Sequence, residues 1–414
     1  MSDRTVAVIG TLDTKGPEYD YLSAELQHSG LTPITVDTSC HKVGEGIRPQ
    51  YPCTEVARRA GWDFGEISRL DKVKAREVMV AGATAILQEL YASGHVHGLI
   101  ALGGANGTAM ACDVMRAFPI GVPKLVVSVL AAGDPRQDAG TKDIILVNSV
   151  TDMSLNRVTK QIISNAAAAM AGMLQRTKPV AEGEKKLQIG ASMLGVTQAC
   201  VLGVKTLLEA RGHELMIFHA NGIGGVALED LISRGTIDAV LDVTTNELGN
   251  NMLGGVFDAG PNRLEAAATR KIPQIIVPGA VDFINFWGKS IPDRFRDRLF
   301  IFHNEYNTLL RTTPEENARL GSLFAEKLNR SGARTVVLLP LRGFSRNDSA
   351  DGPRGVSIEG QPGAPWYNPE ADMAFIQGLK GAVDAALIEI RAVEAHINEP
   401  AFIKAVVDAF DETV

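Results

Sequence analysis

The feature that most constrains the fold is a short apolar strand that runs into a polar turn near the start of the chain. Residues 6–16 are VAVIGTLDTKG, so an apolar run stops at a glycine and gives way to hydroxyl and charged side chains. An amphipathic segment at 18–29 and a second apolar run ending in Asp37 follow. Strand, polar turn, helix and strand in this order open a doubly wound parallel sheet, which binds ligands at the carboxyl ends of its strands. The pattern predicts a nucleotide at the first turn.

The same pattern starts again after residue 186, which indicates two similarly wound domains. Three later strands predicted in the first half have counterparts in the second: 98–102 with 239–245, 124–129 with 272–277, and 143–147 with 298–302. These apolar runs do not alternate with polar residues, as expected of parallel strands covered on both faces. We predict an α/β protein of two Rossmann-like doubly wound parallel-sheet domains facing each other across a cleft. The domains are residues 1–180 and 187–414, joined by a polar linker at 177–186.

Two stretches are predicted to be irregular. Residues 38–68 are polar and punctuated by Gly and Pro, which favours a lid or a functional loop. Residues 344–369 are rich in Gly, Pro, Asp and Asn, and we expect a loop there, followed by two terminal helices.

Length, charge and cysteine usage exclude several classes of protein. A chain of 414 residues is too long for one ordinary core, and a net charge of −7 argues against a nucleic-acid binder with a broad basic face. The four cysteines are scattered without a C-x-x-C pair, which fits reduced thiols in the cytoplasm. The early first strand leaves no room for a signal peptide, and no apolar run approaches the roughly 20 residues that span a bilayer. We therefore expect a cytoplasmic protein without nucleic-acid or membrane partners.

A second nucleotide signal is the sequence GGANGT at residues 103–108, between a predicted strand and a predicted helix. Gly103, Gly104 and Gly107 would let backbone N–H groups approach an anion, and the helix dipole adds about half a positive charge. Thr108 could add a hydroxyl donor. The alternative is a tight turn that needs glycine only for its dihedral angles, because the sequence is neither a Walker A loop nor G-x-G-x-x-G.

The turn after the first strand offers charged groups for the same ligand. Lys15 could meet a phosphate as a point charge, and Asp13 could bind Mg²⁺ directly or through water. Asp37 lies about 20 residues beyond the turn, where an acid commonly bonds ribose hydroxyls. Each acid also has a structural alternative, since Asp13 could cap a helix and Asp37 could begin a turn.

Polar side chains also follow the strands predicted in the second half. The candidates for catalytic or substrate-binding roles are His219, Asp242, Glu247, Asp282, His303 and Arg311. Such a set could build a second anion site with acid/base groups. A single histidine at a strand end is more often structural, so the prediction depends on the set. No His/Cys spacing supports a structural metal.

Several of these motifs occur together in one known family. Residues 10–16, 103–108, 149–152, 242–248, 278–282, 303–304 and 310–313 resemble the ATP-binding family named after the tomato mosaic virus resistance protein. The resemblance covers essentially the whole chain. It implies two Rossmann-like subdomains, ATP on the first, and a dimer or larger assembly, and the plant member uses this region to bind a viral replication protein.

The resemblance also implies which residues contact ATP. They are Thr11, Asp13, Thr14, Lys15, Gly103, Gly104, Gly107 and Thr108, with the neighbourhoods of Gly133 and Thr141. Asn106 is also expected to contact the nucleotide, although it lies in the second turn where relatives usually have glycine. Residues 136–139 and 219–222 depart from the pattern too. These departures could alter the pocket wall and so the ligand preference. The family largely lacks an assigned reaction, so the resemblance supplies a ligand and not a chemistry.

The leading hypothesis is an ATP-dependent metabolic enzyme, a kinase or ligase that acts on a small acidic metabolite with Mg²⁺. Phosphate chemistry would take place at Lys15 and the Gly103 turn, and the second domain would hold the substrate. One alternative is a non-catalytic nucleotide-binding module that docks a partner protein. The other is an ATP-independent lyase or isomerase that uses only the second domain.

Overall fold

The computed structural model describes residues 4–44, 48–134, 136–175 and 186–414. The chain divides into two compact units, residues 1–181 and 182–414, and each is described by itself. Almost all of the predicted linker, 177–186, lies outside the described residues.

The first unit is a parallel sheet between two layers of helices. Its strands are β1 (Arg4–Gly10), β2 (Leu31–Asp37), β3 (Gly98–Gly103), β4 (Lys124–Ser128) and β5 (Ile145–Asn148). Its helices are α1 (Leu12–His28), α2 (Cys53–Arg59), α3 (Phe64–Ile67), α4 (Lys72–Ala92), α5 (Ala105–Arg116), α6 (Arg136–Ala139) and α7 (Arg157–Gln175). The strands pair in the order β2-β1-β3-β4-β5, all parallel.

Alternate residues of β1 face opposite helix layers. Ala7 and Ile9 pack in a core cluster with residues of α4 and α5, whereas Val6 and Val8 pack with residues of α1 and α7. The helices that follow β1 and β3 therefore lie on opposite faces of the sheet. A crevice opens between two such neighbouring strands, and open α/β sheets bind their ligands there.

The prediction of an irregular segment at 38–68 is wrong for its second half. Two helices, α2 and α3, occupy part of it, and Cys53 and Val56 are completely buried. Helix α2 lies directly against α4, where a Cβ on Gly82 would come within 1.9 Å of the Val56 carbonyl oxygen. The segment is too short for helical periodicity to show in the sequence, because its helices have only one or two turns.

The second unit contains two sheets. Its strands are β6 (Gln188–Met193), β7 (Glu214–His219), β8 (Ala239–Thr244), β9 (Gln274–Gly279), β10 (Phe283–Trp287), β11 (Phe300–Phe302), β12 (Asn307–Arg311), β13 (Thr335–Pro340), β14 (Arg354–Val356), β15 (Pro362–Pro365) and β16 (Ile388–Val393). Its helices are α8 (Gln198–Glu209), α9 (Ile223–Ser233), α10 (Asn246–Leu253), α11 (Ala266–Arg270), α12 (Pro314–Leu328), α13 (Pro369–Ala382) and α14 (Pro400–Thr413), with a 3₁₀ turn at Asp293–Phe295.

The larger sheet repeats the winding of the first unit. Its six strands are parallel and pair in the order β7-β6-β8-β9-β13-β16, so the first five follow the spatial order found in the first unit. Helices α8 and α14 cover one face, and α10, α12 and α13 cover the other. The predicted α/β class with two doubly wound parallel sheets is confirmed.

The smaller sheet corrects two predictions. Residues 298–302 were expected to form the fifth parallel strand, but β11 pairs antiparallel with β12, and β13 fills the fifth position. The predicted loop at 344–369 contains β14 and β15, which extend the antiparallel sheet, and β16 separates the two predicted terminal helices. A three-residue apolar run such as Phe300–Phe302 carries no signal of strand direction, which explains the first error.

Across the described ranges, none of the helices combines the length and the apolar character that crossing a bilayer requires.

Candidate functional site

A cavity of about 250 Å³ lies at the crevice between β1 and β3 in the first unit. The turns that follow these two strands form most of its wall. The lining residues are Thr11, Asp13, Thr14, Lys15, Cys40, His41, Gly103, Gly104, Ala105, Asn106 and Gly107. The structure thus brings together most of the residues predicted to contact a nucleotide.

The N-terminus of α5 forms one side of this cavity. Gly104 is its N-cap residue and supplies no side-chain cap, so the first N–H groups of the helix are not capped by a side chain. A Cβ on Gly104 would meet nothing within 4 Å, and one on Gly107 would lie 3.9 Å from the Thr11 hydroxyl oxygen. The missing side chains therefore leave room between the two turns. Gly103 instead allows the turn to pack closely against α5, since a Cβ there would come within 2.4 Å of the Thr108 backbone nitrogen.

The turn after β1 forms the other side. The backbone of α1 is kinked at Lys15, whose φ of −131° is not helical, and the Lys15 ammonium donates a hydrogen bond to the carbonyl of Met153. The Thr11 and Thr14 hydroxyls lie 3.3 Å apart. The Asp13 side chain is half-buried in the cavity wall.

Two of the predicted contacts are buried supports of the turns. Thr108 is completely buried, and its hydroxyl lies 2.6 Å from the Ser128 hydroxyl. The Asp37 carboxylate accepts hydrogen bonds from the backbone N–H groups of Leu12 and Ser39 at 3.3 and 3.0 Å. These bonds tie α5 to β4 and the end of β2 to the start of α1.

Gly133 and Thr141 do not line the cavity. Gly133 is exposed in the segment after β4, and Thr141 is half-buried just before β5.

Cys40 and His41 line the cavity although the sequence analysis missed them. Both follow β2, the strand beside β1, so their position after a parallel strand was an available signal. Burial raises the pKa of the Cys40 thiol to about 11, and the charges of Asp13 and Asp37 add to this effect. The thiol is therefore protonated at neutral pH and is a weak nucleophile.

A metal site built by protein side chains alone is not found among the described residues, where no group of three or more His, Cys, Asp or Glu could hold an ion. Mg²⁺ bound with a nucleotide takes one or two carboxylates from the protein and its other ligands from phosphate and water. The single carboxylate of Asp13 fits that requirement.

The second unit has a cavity of about 110 Å³ near the ends of β6 and β7. The smaller sheet contributes part of its wall through β10 and β12. The lining residues are Leu194, Gly195, Val196, His219, Phe257, Phe283, Asn285, His303, Asn307, Leu309 and Arg346. His219 and His303, which are 84 residues apart in the chain, are thus brought to one cavity.

Asp242 and Glu247 do not line this cavity, because they belong to a buried ion cluster centred on Arg263. Its guanidinium donates two hydrogen bonds to the Asp242 carboxylate, at 2.5 and 2.7 Å, and one to Glu247 at 2.7 Å. Glu229 accepts a further bond at 3.2 Å. Burial opposes the charge of Arg263, but these carboxylates raise its pKa well above the ordinary value. Sequence reasoning missed Arg263 because it lies in a connection without periodicity.

Arg311 is the centre of a second buried cluster and also lies away from the cavity lining. Its guanidinium contacts Asp348 at 3.1 Å and Asp372 at 3.3 Å, and donates to the Trp366 carbonyl at 2.8 Å. Arg311 therefore fixes the segment after β15 to the smaller sheet.

Asp282 is the third carboxyl group of that cluster. One of its oxygens accepts hydrogen bonds from the Ser345 hydroxyl and the Trp366 indole, both at 2.9 Å. The other oxygen is buried and has no hydrogen-bond partner in the part of the chain that the structure describes. Burial raises the pKa of Asp282 to about 7, the charge of Asp348 adds to the increase, and Arg311 opposes it. The missing hydrogen-bond partner agrees with the direction of this shift, because burial without a donor disfavours the charged carboxylate.

The fold and these cavities define a two-unit α/β protein with a candidate ligand site at the strand ends of each Rossmann-like sheet. The chain belongs to the UPF0261 family. The description "Uncharacterised protein family (UPF0261) N-terminal domain" matches residues 4–179, and the corresponding C-terminal domain matches residues 186–414.

Two relatives show how far the similarity extends. A UPF0261 protein of Clostridium tetani is 41% identical over 97% of this chain and 96% of its own length. The ToMV resistance protein Tm-1(GCR237) of Solanum lycopersicum is 33% identical over 98% of this chain, which spans about half (55%) of the tomato protein. The resemblance to the family of the tomato mosaic virus resistance protein is therefore confirmed.

Similarity to solved structures is weak. A UDP-N-acetylglucosamine 2-epimerase from Rickettsia bellii is 10% identical, with 66% of this chain and 78% of the epimerase covered and a TM-score of 0.25. That score is too low to carry an argument about fold or function.

The Arg263 cluster predicts a large stability difference between two substitutions. Arg263→Met should lower the free energy of unfolding by about 3–5 kcal/mol, because it leaves two buried carboxylates without their counter-charge. The control is Arg234→Met, which removes a partly exposed ion pair with Asp230 and should cost less than about 1 kcal/mol. Urea unfolding of both variants measures the difference, and equal small losses would contradict the assigned role.

The Asp282 carboxyl predicts a pH dependence of stability. Its folded-state pKa of about 7 is above the ordinary 3.8, so its contribution to stability is present below about pH 4 and is lost as the pH rises towards 7. Asp282→Asn keeps an acceptor for Ser345 and removes the titration. We expect its free energy of unfolding to fall less than that of the wild type over this range.

Urea unfolding at a series of pH values checks this expectation. The control is Asp293→Asn, whose side chain is 93% exposed and should follow the wild type. Parallel curves for the wild type and Asp282→Asn would show that the carboxyl does not take up a proton on folding.

Proposed function

We propose that the first unit binds ATP with Mg²⁺ in the crevice between β1 and β3. The observation that supports this most directly is that two turns, 11–15 and 103–107, line one cavity where neighbouring helices leave the sheet on opposite sides. Sheets with the strand order 2-1-3-4-5 bind nucleotides at this position. The family resemblance supplies ATP as the nucleotide.

Each side of the cavity has a defined part in this proposal. The first N–H groups of α5 face a phosphate, and the helix dipole favours its negative charge. Lys15 exchanges its bond to the neutral Met153 carbonyl for one to a phosphate oxygen, which is a stronger acceptor. Asp13 holds Mg²⁺. At about 250 Å³ the cavity is just below the usual range of about 300–1,000 Å³ for ligand pockets, so it suits the phosphates better than the whole nucleotide.

We further propose that the chain is an ATP-dependent metabolic enzyme, a kinase or ligase that acts on a small acidic metabolite. The chemistry that Mg²⁺–ATP supplies at such a site is phosphoryl or nucleotidyl transfer. The protein's part is to orient the phosphates by Lys15 and the α5 N-terminus and to neutralise their charge.

A second candidate function is chemistry in the second unit alone, as a lyase or isomerase that needs no ATP. The observation in its favour is that His219 and His303 line one cavity, and imidazoles are the commonest general acids and bases.

The nucleotide proposal predicts that Gly107→Ala weakens ATP binding at least tenfold. The added methyl group would lie between the two turns, 3.9 Å from the Thr11 hydroxyl oxygen, and would occupy space that a phosphate needs. Because nothing is closer than 3.6 Å, the fold should be preserved, and alanine in a helix adds up to about 1 kcal/mol of stability. Calorimetric titration with ATP, with and without Mg²⁺, measures the effect.

The matched control for that titration is Gly172→Ala, an exposed glycine of α7 whose Cβ would meet nothing within 4 Å. It should bind ATP as the wild type does. Unchanged ATP affinity in Gly107→Ala, or no binding by the wild type, would rule out the assigned site. Thr108→Val is unsuitable as a test, because it breaks the buried bond to Ser128.

The enzymatic proposal predicts release of ADP or AMP when the protein is incubated with Mg²⁺–ATP and a set of small carboxylic acids. Turnover should depend on the acid and should fall with ATP affinity in Gly107→Ala. If ATP binds and no acid leads to release of ADP or AMP, the hypothesis of a non-catalytic nucleotide-binding module replaces that of an enzyme.

A further inference from the structure

We propose that the cavity of the second unit binds a small monocarboxylate, with the carboxylate at the polar donors of the lining and a short chain against its apolar side chains. This proposal rests on the proposed function in one respect only: it names the class of acid that the proposed enzyme would use as its substrate. Binding at this cavity requires no nucleotide.

One side of the cavity is an apolar wall. Leu194, Val196, Phe257, Phe283 and Leu309 each have less than a tenth of their surface exposed and belong to one core cluster. The cavity volume of about 110 Å³ is smaller than the roughly 150 Å³ of an engineered cavity that holds benzene. A ligand of roughly four or five carbon atoms is therefore the size that fits.

The lining also carries one permanent positive charge, that of the solvent-exposed Arg346, without a matching acid. Arg346, His219 and His303 line the cavity, whose lining contains no aspartate or glutamate, although the chain as a whole has a net charge of −7. Within the described ranges no carboxylate pairs with the Arg346 guanidinium. Its backbone N–H donates to the Val196 carbonyl at 2.9 Å, which fixes this residue beside the apolar wall. A guanidinium binds a carboxylate through two parallel hydrogen bonds.

A chain of asparagine amides gives the cavity a further donor, and backbone groups set its direction. The Asn250 side-chain oxygen accepts hydrogen bonds from the backbone N–H groups of Asn285 and Phe257, at 2.9 and 3.3 Å. Because these N–H groups can only donate, the other end of the Asn250 amide must be its NH₂ group. That group donates to the Asn285 side-chain oxygen at 3.4 Å, so the Asn285 NH₂ is left to donate to the Asn307 oxygen at 3.0 Å.

The chain of amides ends at the cavity. The oxygen of Asn307 is occupied by the bond from Asn285, so its NH₂ group is the free end, and no partner for it is found in the described part of the molecule. A cavity with an amide NH₂ and a guanidinium selects a ligand that presents acceptors. A carboxylate satisfies both donors, whereas an ammonium group, which can only donate, satisfies neither.

The first test is calorimetric titration of the full chain with butyrate and with butyramide, in the absence of nucleotide. Butyrate should bind at least tenfold more tightly, because butyramide has a similar size and no charge. Arg346→Gln should weaken butyrate binding at least tenfold. The matched control is Arg342→Gln, whose guanidinium pairs with Glu399 and does not line the cavity, and its affinity should be unchanged.

The second test addresses the direction of the amide chain. Asn307→Asp keeps the acceptor for Asn285 and replaces only the free NH₂ by a negatively charged oxygen, so it should weaken butyrate binding at least tenfold. A thermal unfolding midpoint close to that of the wild type shows that the variant is folded. Should Asn307→Asp fail to fold, Arg346→Gln decides the question, since its guanidinium has no ion pair to lose among the described residues.

Three results would overturn the proposal. The first is that butyramide binds as tightly as butyrate, and the second is that folded Asn307→Asp or Arg346→Gln binds butyrate as tightly as the wild type. The third is that inorganic phosphate binds as tightly as butyrate and that Arg346→Gln loses this phosphate binding. ATP titrations of the same variants separate this site from the nucleotide site. Arg346→Gln should bind ATP like the wild type, and Gly107→Ala should bind butyrate like the wild type.

Discussion

The second unit depends on one buried guanidinium. Arg263 holds the carboxylates of Asp242, Glu247 and Glu229, and these residues belong to β8, α10 and α9. Transferring such charges out of water is so unfavourable that each is stable only in the presence of the others. The cluster therefore fixes the helices that follow β7 and β8, the two strands on either side of β6. Glu247 extends this role to the turn after His219, since it also accepts hydrogen bonds from backbone N–H groups at the start of α9. The positions of the residues around the cavity follow from this buried arrangement.

Both units place their candidate ligand sites at the carboxyl ends of similarly ordered strands, but the two cavities differ in chemistry. In the first unit the wall is formed by backbone and short polar side chains, as in Gly107 and Thr11, which suits an extended anion such as a triphosphate. In the second unit, apolar side chains and the donors of Arg346 and Asn307 line one cavity, which suits a compact amphipathic acid. Sheets with the same winding can thus recognise two kinds of ligand, because the turns supply the groups that contact the ligand and the strands only position those turns.

The sequence predicts the parallel sheets and the first cavity well, because apolar runs that end in glycine and hydroxyl residues have few other structural solutions. The sequence does not predict how deeply each polar side chain is buried. Asp242 lies near the end of β8 and His219 is the last residue of β7, yet one is buried in an ion cluster and the other lines a cavity. That difference depends on Arg263, whose approach from a distant connection leaves no periodic signal. The antiparallel sheet was missed for a similar reason, since strands as short as Phe300–Phe302 obtain their partners from tertiary packing.

The amide chain has a consequence for how ligand preference could change among related proteins. Its direction is set at Asn250, which does not line the cavity. An aspartate there could only accept, so the Asn285 amide and the Asn246 amide, which donates to the Asn285 oxygen at 3.3 Å, would both have to turn over. Asn307 would then present an oxygen to the ligand. The cavity would keep Arg346 and its apolar residues but would lose one of its two donors, so its affinity for a carboxylate would fall. A comparison of lining residues alone would then assign the same affinity to two proteins that differ in it.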